Sequence, residues 1–151
     1  MPRLTLAEIQ QLLPHRSPFL FVDEIEDYEL GVRIIGRKRF STDDFFLQTG
    51  SGFVPETLLI ETAAQVGALL ILKDPAYSDK IPYFMSVEGM TFHRRIRVGE
   101  TVRVVGTIEK MRGIFGILSG QAWIGEEHVA EGIMRVALTD LSAAAADNSR
   151  T

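Results

Sequence analysis

The stretch from Glu56 to Leu72 constrains this chain more than any other. Leu58, Leu59, Ile60, Ala63, Ala64, Val66, Ala68, Leu69, Leu70 and Ile71 leave hardly any polar face, and Pro55 stands at its first turn, a position proline favours. A helix that is apolar nearly all round has to be buried. It is not a membrane span, because the longest uninterrupted apolar run, Val66 to Leu72, falls well short of the roughly 20 residues a bilayer requires. The rest of the chain must therefore wrap around it. Its interior polar residues include Thr57, Glu61 and Gln65, spaced four apart, which form one narrow row along the helix.

The flanking segments supply the wrapping. Thr5 followed by Glu8 reads as a capping box, with Leu4 and Ile9 as its hydrophobic staple. This predicts a short helix from Leu6 to Leu13, ended by Pro14. Phe19 to Tyr28 reads as a strand, Gly31 as a turn, and Val32 to Phe40 as a second strand. There Val32, Ile34 and Gly36 alternate with mostly charged neighbours, the period of a sheet wet on one face. Ser41 to Gly52 is a loop, but its Phe45-Phe46 pair is too apolar to be a solvated linker. Beyond a Lys73 to Lys80 loop, strands are expected at Ile81 to Val87, Thr91 to Val98, Thr101 to Lys110, Ile114 to Ile124 and His128 to Leu138. Gly125-Glu126 suits a two-residue hairpin turn. The pattern predicts one α+β domain over residues 1–140, an antiparallel sheet around a central helix, with residues 141–151 as a frayed, Ala-rich tail.

Composition narrows the chemistry. The chain of 151 residues is 46% apolar, enough for a real core in one domain. It has no cysteine, which excludes disulfide scaffolds, thiolate metal sites and cysteine nucleophiles. Its three histidines, His15, His93 and His128, are far apart in sequence and make no ligand-spaced pair, so no metal site is expected. With a net charge of -4 and a pI near 5.4, nucleic acid is not the expected partner. Met1 to Leu13 lacks the apolar core of a secretory signal, and a cytoplasmic protein without membrane partners is the expectation.

Several segments, taken in order, carry a resemblance. Leu13-Pro14-His15-Arg16-Ser17-Pro18-Phe19-Leu20-Phe21-Val22-Asp23, then Phe45-Phe46, then Leu58 to Gln65 read as Leu-Leu-Ile-Glu-Thr-Ala-Ala-Gln, then Tyr83-Phe84-Met85-Ser86-Val87, Phe92-His93-Arg94 and Gly99-Glu100 resemble the (3R)-hydroxyacyl-acyl-carrier-protein dehydratases of the FabZ type. Arg112-Gly113-Ile114 and Val129-Ala130-Glu131 continue the order, so the likeness covers about Leu4 to Leu138. It implies the hotdog fold, a sheet wrapped around a long central helix, and a homodimer or a trimer of such dimers. It also implies an acyl thioester as substrate, carried on an acyl carrier protein or coenzyme A, and no cofactor.

In that family the chemistry depends on a histidine in the loop before the central helix and a carboxylate on the helix. The carboxylate matches Glu61. The histidine does not match: an ungapped alignment puts Leu47 there, and a two-residue deletion puts Thr49 there. The family's Pro-Gly at the helix start has become Pro55-Glu56, setting a carboxylate against the positive end of the helix dipole. Glu61 and Gln65 are the candidate catalytic residues, with Glu61 as proton donor in an apolar tunnel and Gln65 orienting it or a water. Thr57, Phe53, Tyr83 and Phe84 are the candidate substrate-binding residues. His15, in its Pro-His-Arg turn, is expected to fix the loop through backbone hydrogen bonds; His93 is expected at a surface or interface, and His128 in solvent.

Three readings follow: a dehydratase with an altered site, a thioester hydrolase using Glu61 alone, and a protein that binds acyl chains or carrier protein without turnover. Ten of the 16 basic residues fall within Arg33 to Arg39 and Arg94 to Arg112. If they converge at the tunnel mouth, they suit an acidic carrier protein.

Overall fold

In the computed structural model, residues 2–47 and 50–141 are described. The helix α1 (Leu6–Leu12) is opened by the expected capping box: Glu8 N–H donates to the Thr5 hydroxyl, and the Glu8 carboxylate accepts from Thr5 N–H at 2.7 Å. Leu4 and Ile9, the two staple residues, are both buried. Six strands follow, β1 (Glu24–Glu29), β2 (Arg33–Arg39), β3 (Lys80–Phe92), β4 (Thr101–Arg112), β5 (Phe115–Ile124) and β6 (Glu127–Asp140), with α2 (Glu56–Leu72) between β2 and β3. They form one antiparallel sheet in the order β1-β2-β4-β5-β6-β3. The tail from residue 142 on lies outside the described residues.

The helix α2 runs over the bounds its apolar pattern predicts. Its second half, Val66 to Ile71, is buried throughout against the sheet. Close approach is possible because β2 carries glycine beneath it. A Cβ on Gly36 would stand 2.6 Å from the Val66 side chain, so any larger residue there would push helix and sheet apart. The even positions of β2 do face inward, as the alternation predicts; among them Lys38 is buried and paired with Asp44 at 3.2 Å and Asp23 at 3.6 Å.

Two strand boundaries differ from the sequence reading, each for a physical reason. Phe19 to Asp23 is not strand, because the backbone of Phe19 and Phe21 is hydrogen-bonded to the Gln65 side chain instead of to a neighbouring strand. The two strands expected at Ile81 to Val87 and Thr91 to Val98 are instead the single strand β3, ending at Phe92. Between Glu88 and Thr91 its register against β6 slips by one residue, and Gly89 there has φ +61°. Glycine in the left-handed region accommodates an extra residue as a bulge within a strand, so it does not end the strand. The Gly125-Glu126 turn has positive φ at the glycine alone (+58°), the sign pattern of a type II′ hairpin.

Candidate functional site

The polar row on α2 meets the segment that follows α1. Gln65, 1% exposed, uses its whole amide: Oε1 accepts from Phe21 N–H at 2.8 Å, while Nε2 donates to the Phe19 carbonyl at 2.9 Å and to Glu61 Oε1 at 3.1 Å. It thereby ties residues 19–21 to the helix and fixes the carboxylate one turn earlier. Glu61 itself is half-exposed in the single chain, with 46% of its side chain accessible. Where an apolar tunnel was expected around it, the chain forms an open pocket.

His15 is the residue that the sequence reading placed elsewhere. Its expected task of fixing the loop falls to Arg16, whose guanidinium donates to the carbonyls of Leu13, His15 and Gln10 at 2.7–2.9 Å. His15 Nδ1 is buried without a hydrogen-bond partner. Its Nε2 stands 4.0 Å from Glu61 Oε1. That separation exceeds a hydrogen bond, and a single substrate group can sit within reach of both. The two side chains line one open pocket together with Phe19, Phe21, Phe46, Thr57 and Leu58. The Phe46 ring centre lies 5.8 Å from that of Phe19 and 6.0 Å from that of Phe21, in tilted contacts, which account for its apolar side chain in a loop. The wall is aromatic and aliphatic, and the polar groups are few.

Of the other candidates, Thr57 shares this pocket. Phe53 lies three residues before α2, bridged to Arg97, with the Arg95 guanidinium 4.3 Å above its ring. The same guanidinium is 3.8 Å from Glu56, placing a cation against the carboxylate that opposes the helix dipole. Tyr83 and Phe84 do not line the pocket in one chain. Phe84 packs inward near Gly67 of α2, and Tyr83 is 51% exposed on β3. Leu47 is buried, and Thr49 lies outside the described residues. The loop and helix start hold no histidine.

The basic stretches are largely self-neutralised. Arg33 pairs with Asp27, Arg37 with Glu24 and Glu26, Arg103 with Glu26, and Arg94 with Glu100 and Glu127. Hydrogen bonds from Arg94 hold the Glu100 carboxyl below the usual carboxylate range. Elsewhere the fold gathers residues that sequence spacing left apart. His93 and His128 have ring centroids 5.1 Å apart, with Glu131 within 3.9 Å of each imidazole. His128, expected in solvent, has a side chain 27% exposed and a covered Nε2.

One antiparallel six-stranded sheet packed around one long helix is the hotdog fold. Solved structures of this class agree: the dehydratase heterocomplex ApeI:P from Xenorhabdus doucetiae matches with a TM-score of 0.76 at 13% identity, over 89% of this chain and 92% of that one. A thioesterase from Haemophilus influenzae matches with a TM-score of 0.71 at 15% identity, over 91% and 92%. Those likenesses concern the fold alone. Sequence narrows the assignment: the chain belongs to the FabA-like domain family, whose model matches residues 13–133. It is 40% identical over 140 residues to the 3-hydroxyacyl-acyl-carrier-protein dehydratase FabZ of Thermomicrobium roseum, covering 91% of this chain and 94% of that protein. Among the described residues no helix is long and apolar enough to cross a membrane.

Proposed function

We propose that the chain dehydrates 3-hydroxyacyl thioesters, with Glu61 and His15 as its acid and base. The observation that carries this reading is the 4.0 Å approach of His15 Nε2 to Glu61, in a family whose relatives are named as such dehydratases. Dehydration needs one group to accept the proton on C2 and another to protonate the departing C3 hydroxyl. His15 takes the C2 proton through Nε2, and the electrons of that bond form the C2–C3 double bond. The C3–O bond breaks as the Glu61 carboxyl gives a proton to the hydroxyl, which leaves as water. Gln65 occupies Oε1, so Oε2 is the oxygen left to carry that proton. The proton on His15 then returns to Glu61 through the water just released between them, since 4.0 Å is too long for direct transfer, and the pair is reset.

The acyl chain lies along the aromatic wall, and its thioester is carried on an acyl carrier protein or coenzyme A in the cytoplasm. A second copy completes the site. Strand β3 is an edge of the sheet, and Tyr83, Met85 and Val87, at alternate positions, are 51%, 62% and 39% exposed. A long apolar edge calls for cover, and pairing two β3 edges makes a homodimer with one continuous sheet, which three such dimers extend to a hexamer. The substrate-binding role of Tyr83 belongs to that dimer.

The test is to incubate the protein with 3-hydroxybutyryl and longer 3-hydroxyacyl thioesters while following enoyl absorbance and free thiol, beside Glu61→Gln. Enoyl formation without thiol release, abolished by the substitution, is the expected result. Thiol release would make the protein a hydrolase, and binding without either product would make it a non-catalytic acyl carrier partner.

A further inference from the structure

We propose that His93, His128 and Glu131 form a divalent transition-metal site on the outer face of the sheet, separate from the Glu61 pocket. Strand geometry alone would not bring them together, since residues three apart on a regular strand point to opposite faces. In β6 the register against β5 slips between Ala122 and Trp123, so that Ala122 faces Ala130 while Trp123 faces His128. Val129 is the extra residue, and both Val129 (0% exposed) and Ala130 (2%) turn into the core. With two consecutive residues inward, His128 and Glu131 emerge on the same outer face, a side-chain redirection characteristic of bulges. His93 joins them from the end of β3, held there by a hydrogen bond of 2.8 Å from its N–H to the Val129 carbonyl.

The three side chains offer three ligand atoms converging on one point. Glu131 Oε1 lies 3.9 Å from His93 Nε2, its Oε2 lies 3.8 Å from His128 Nε2, and one ligand atom from each residue falls within 4.8 Å of the others. Donor atoms around a tetrahedral zinc ion are about 3.3 Å apart, given metal–ligand bonds of about 2.0–2.2 Å. The side chains of His93 and Glu131, 42% and 45% exposed, need only a small inward movement. His128 Nε2 is buried with no hydrogen-bond partner, the state in which a polar atom gains most from a ligand. Two imidazoles and one carboxylate suit Zn²⁺, Co²⁺, Ni²⁺ or Cu²⁺ and not the oxygen-seeking Mg²⁺ or Ca²⁺. With three protein ligands at a half-exposed site, water or a group from another molecule completes the coordination.

The chain carries its own reporter. Trp123, its single tryptophan, has its ring 4.6 Å from that of His128. Untagged full-length protein, stripped with chelator, is titrated with Zn²⁺ by calorimetry and with Cu²⁺ by Trp123 emission. The expected result is one ion per chain, with Cu²⁺ quenching the emission. His93→Asn, His128→Asn and Glu131→Gln each weaken binding by about tenfold or more, at least what losing an outer-shell partner costs at known metal sites. His15→Asn leaves the affinity unchanged. Should His128→Asn fail to fold, the two half-exposed positions carry the test. No saturable uptake, or wild-type affinity in both His93→Asn and Glu131→Gln, overturns the proposal.

Discussion

The molecule sets histidine beside glutamate twice, once where α2 meets the segment after α1 and once on the outer face of the sheet, and the two settings differ in what holds the carboxylate. At the inner cluster Glu61 is clamped by the Gln65 amide and shares an aromatic-walled pocket with His15. At the outer cluster Glu131 stands between two imidazoles on a half-exposed surface. The same two residue types therefore suit different work. One imidazole and one carboxyl fixed in a concave apolar pocket can divide a proton's removal and delivery between them, whereas two imidazoles around one carboxylate present three donors to a cation. Neither cluster is defined by residue type alone; Gln65 in one and the Val129 bulge in the other decide which atoms converge.

The comparison breaks first at Glu61. Replacing it with Gln removes the proposed proton donor and keeps the shape, so the enoyl-forming rate is expected to fall by about 10²–10⁴ or more, measured as absorbance at saturating substrate. Gln65→Leu, a volume-conserving change, tests whether positioning matters. It leaves Phe21 N–H and the Phe19 carbonyl unpaired and costs about 1–3 kcal/mol in denaturant unfolding. It also lowers kcat by about tenfold to a hundredfold with little change in KM, because a loosened carboxyl still admits substrate. A purely structural Gln65 would lose the stability and keep the kcat.

The smallest effect sharpens the outer side, where Arg94 beside His93 pairs with Glu100 and Glu127. The folded-state pKa of Glu100 is depressed through its Arg94 hydrogen bonds. Its contribution to stability is therefore present above the ordinary carboxylate range and lost as pH falls through the folded value. In Glu100→Gln the acid limb of Tm against pH is shallower than in the wild type. An unchanged limb would mean that this ion pair does not couple to folding.

Much of this architecture is legible in sequence because it depends on local periodicity. The all-apolar face of α2, the capping box at Thr5 and Glu8, the Gly125-Glu126 turn and the i, i+4 row of Thr57, Glu61 and Gln65 all need only neighbours within a turn or a hairpin. The partner of Glu61 was not legible. His15 reaches it because residues 19–21 fold back over α2 on hydrogen bonds to a side chain 44 and 46 positions later, and no local signal encodes such a contact. The buried glutamine gave one indirect hint, since an amide on a nearly all-apolar helix must find backbone partners. The outer cluster was hidden for a related reason: its convergence needs a bulge at Val129, and the pair Val129-Ala130 does not mark one, since Ile133-Met134 and Val136-Ala137-Leu138 also run in succession along β6. The break expected between Ile81 to Val87 and Thr91 to Val98 failed in the same way, Gly89 marking a bulge and not an end.

The most direct test of the central claim is the enoyl-forming rate of His15→Asn against wild type, on the same 3-hydroxyacyl thioester and at matched, verified folding. The account predicts a fall of about 10²–10⁴, the usual loss on removing a positioned base. A variant that forms enoyl product at the wild-type rate would contradict it, and the second group of the reaction would then have to be sought outside this pocket.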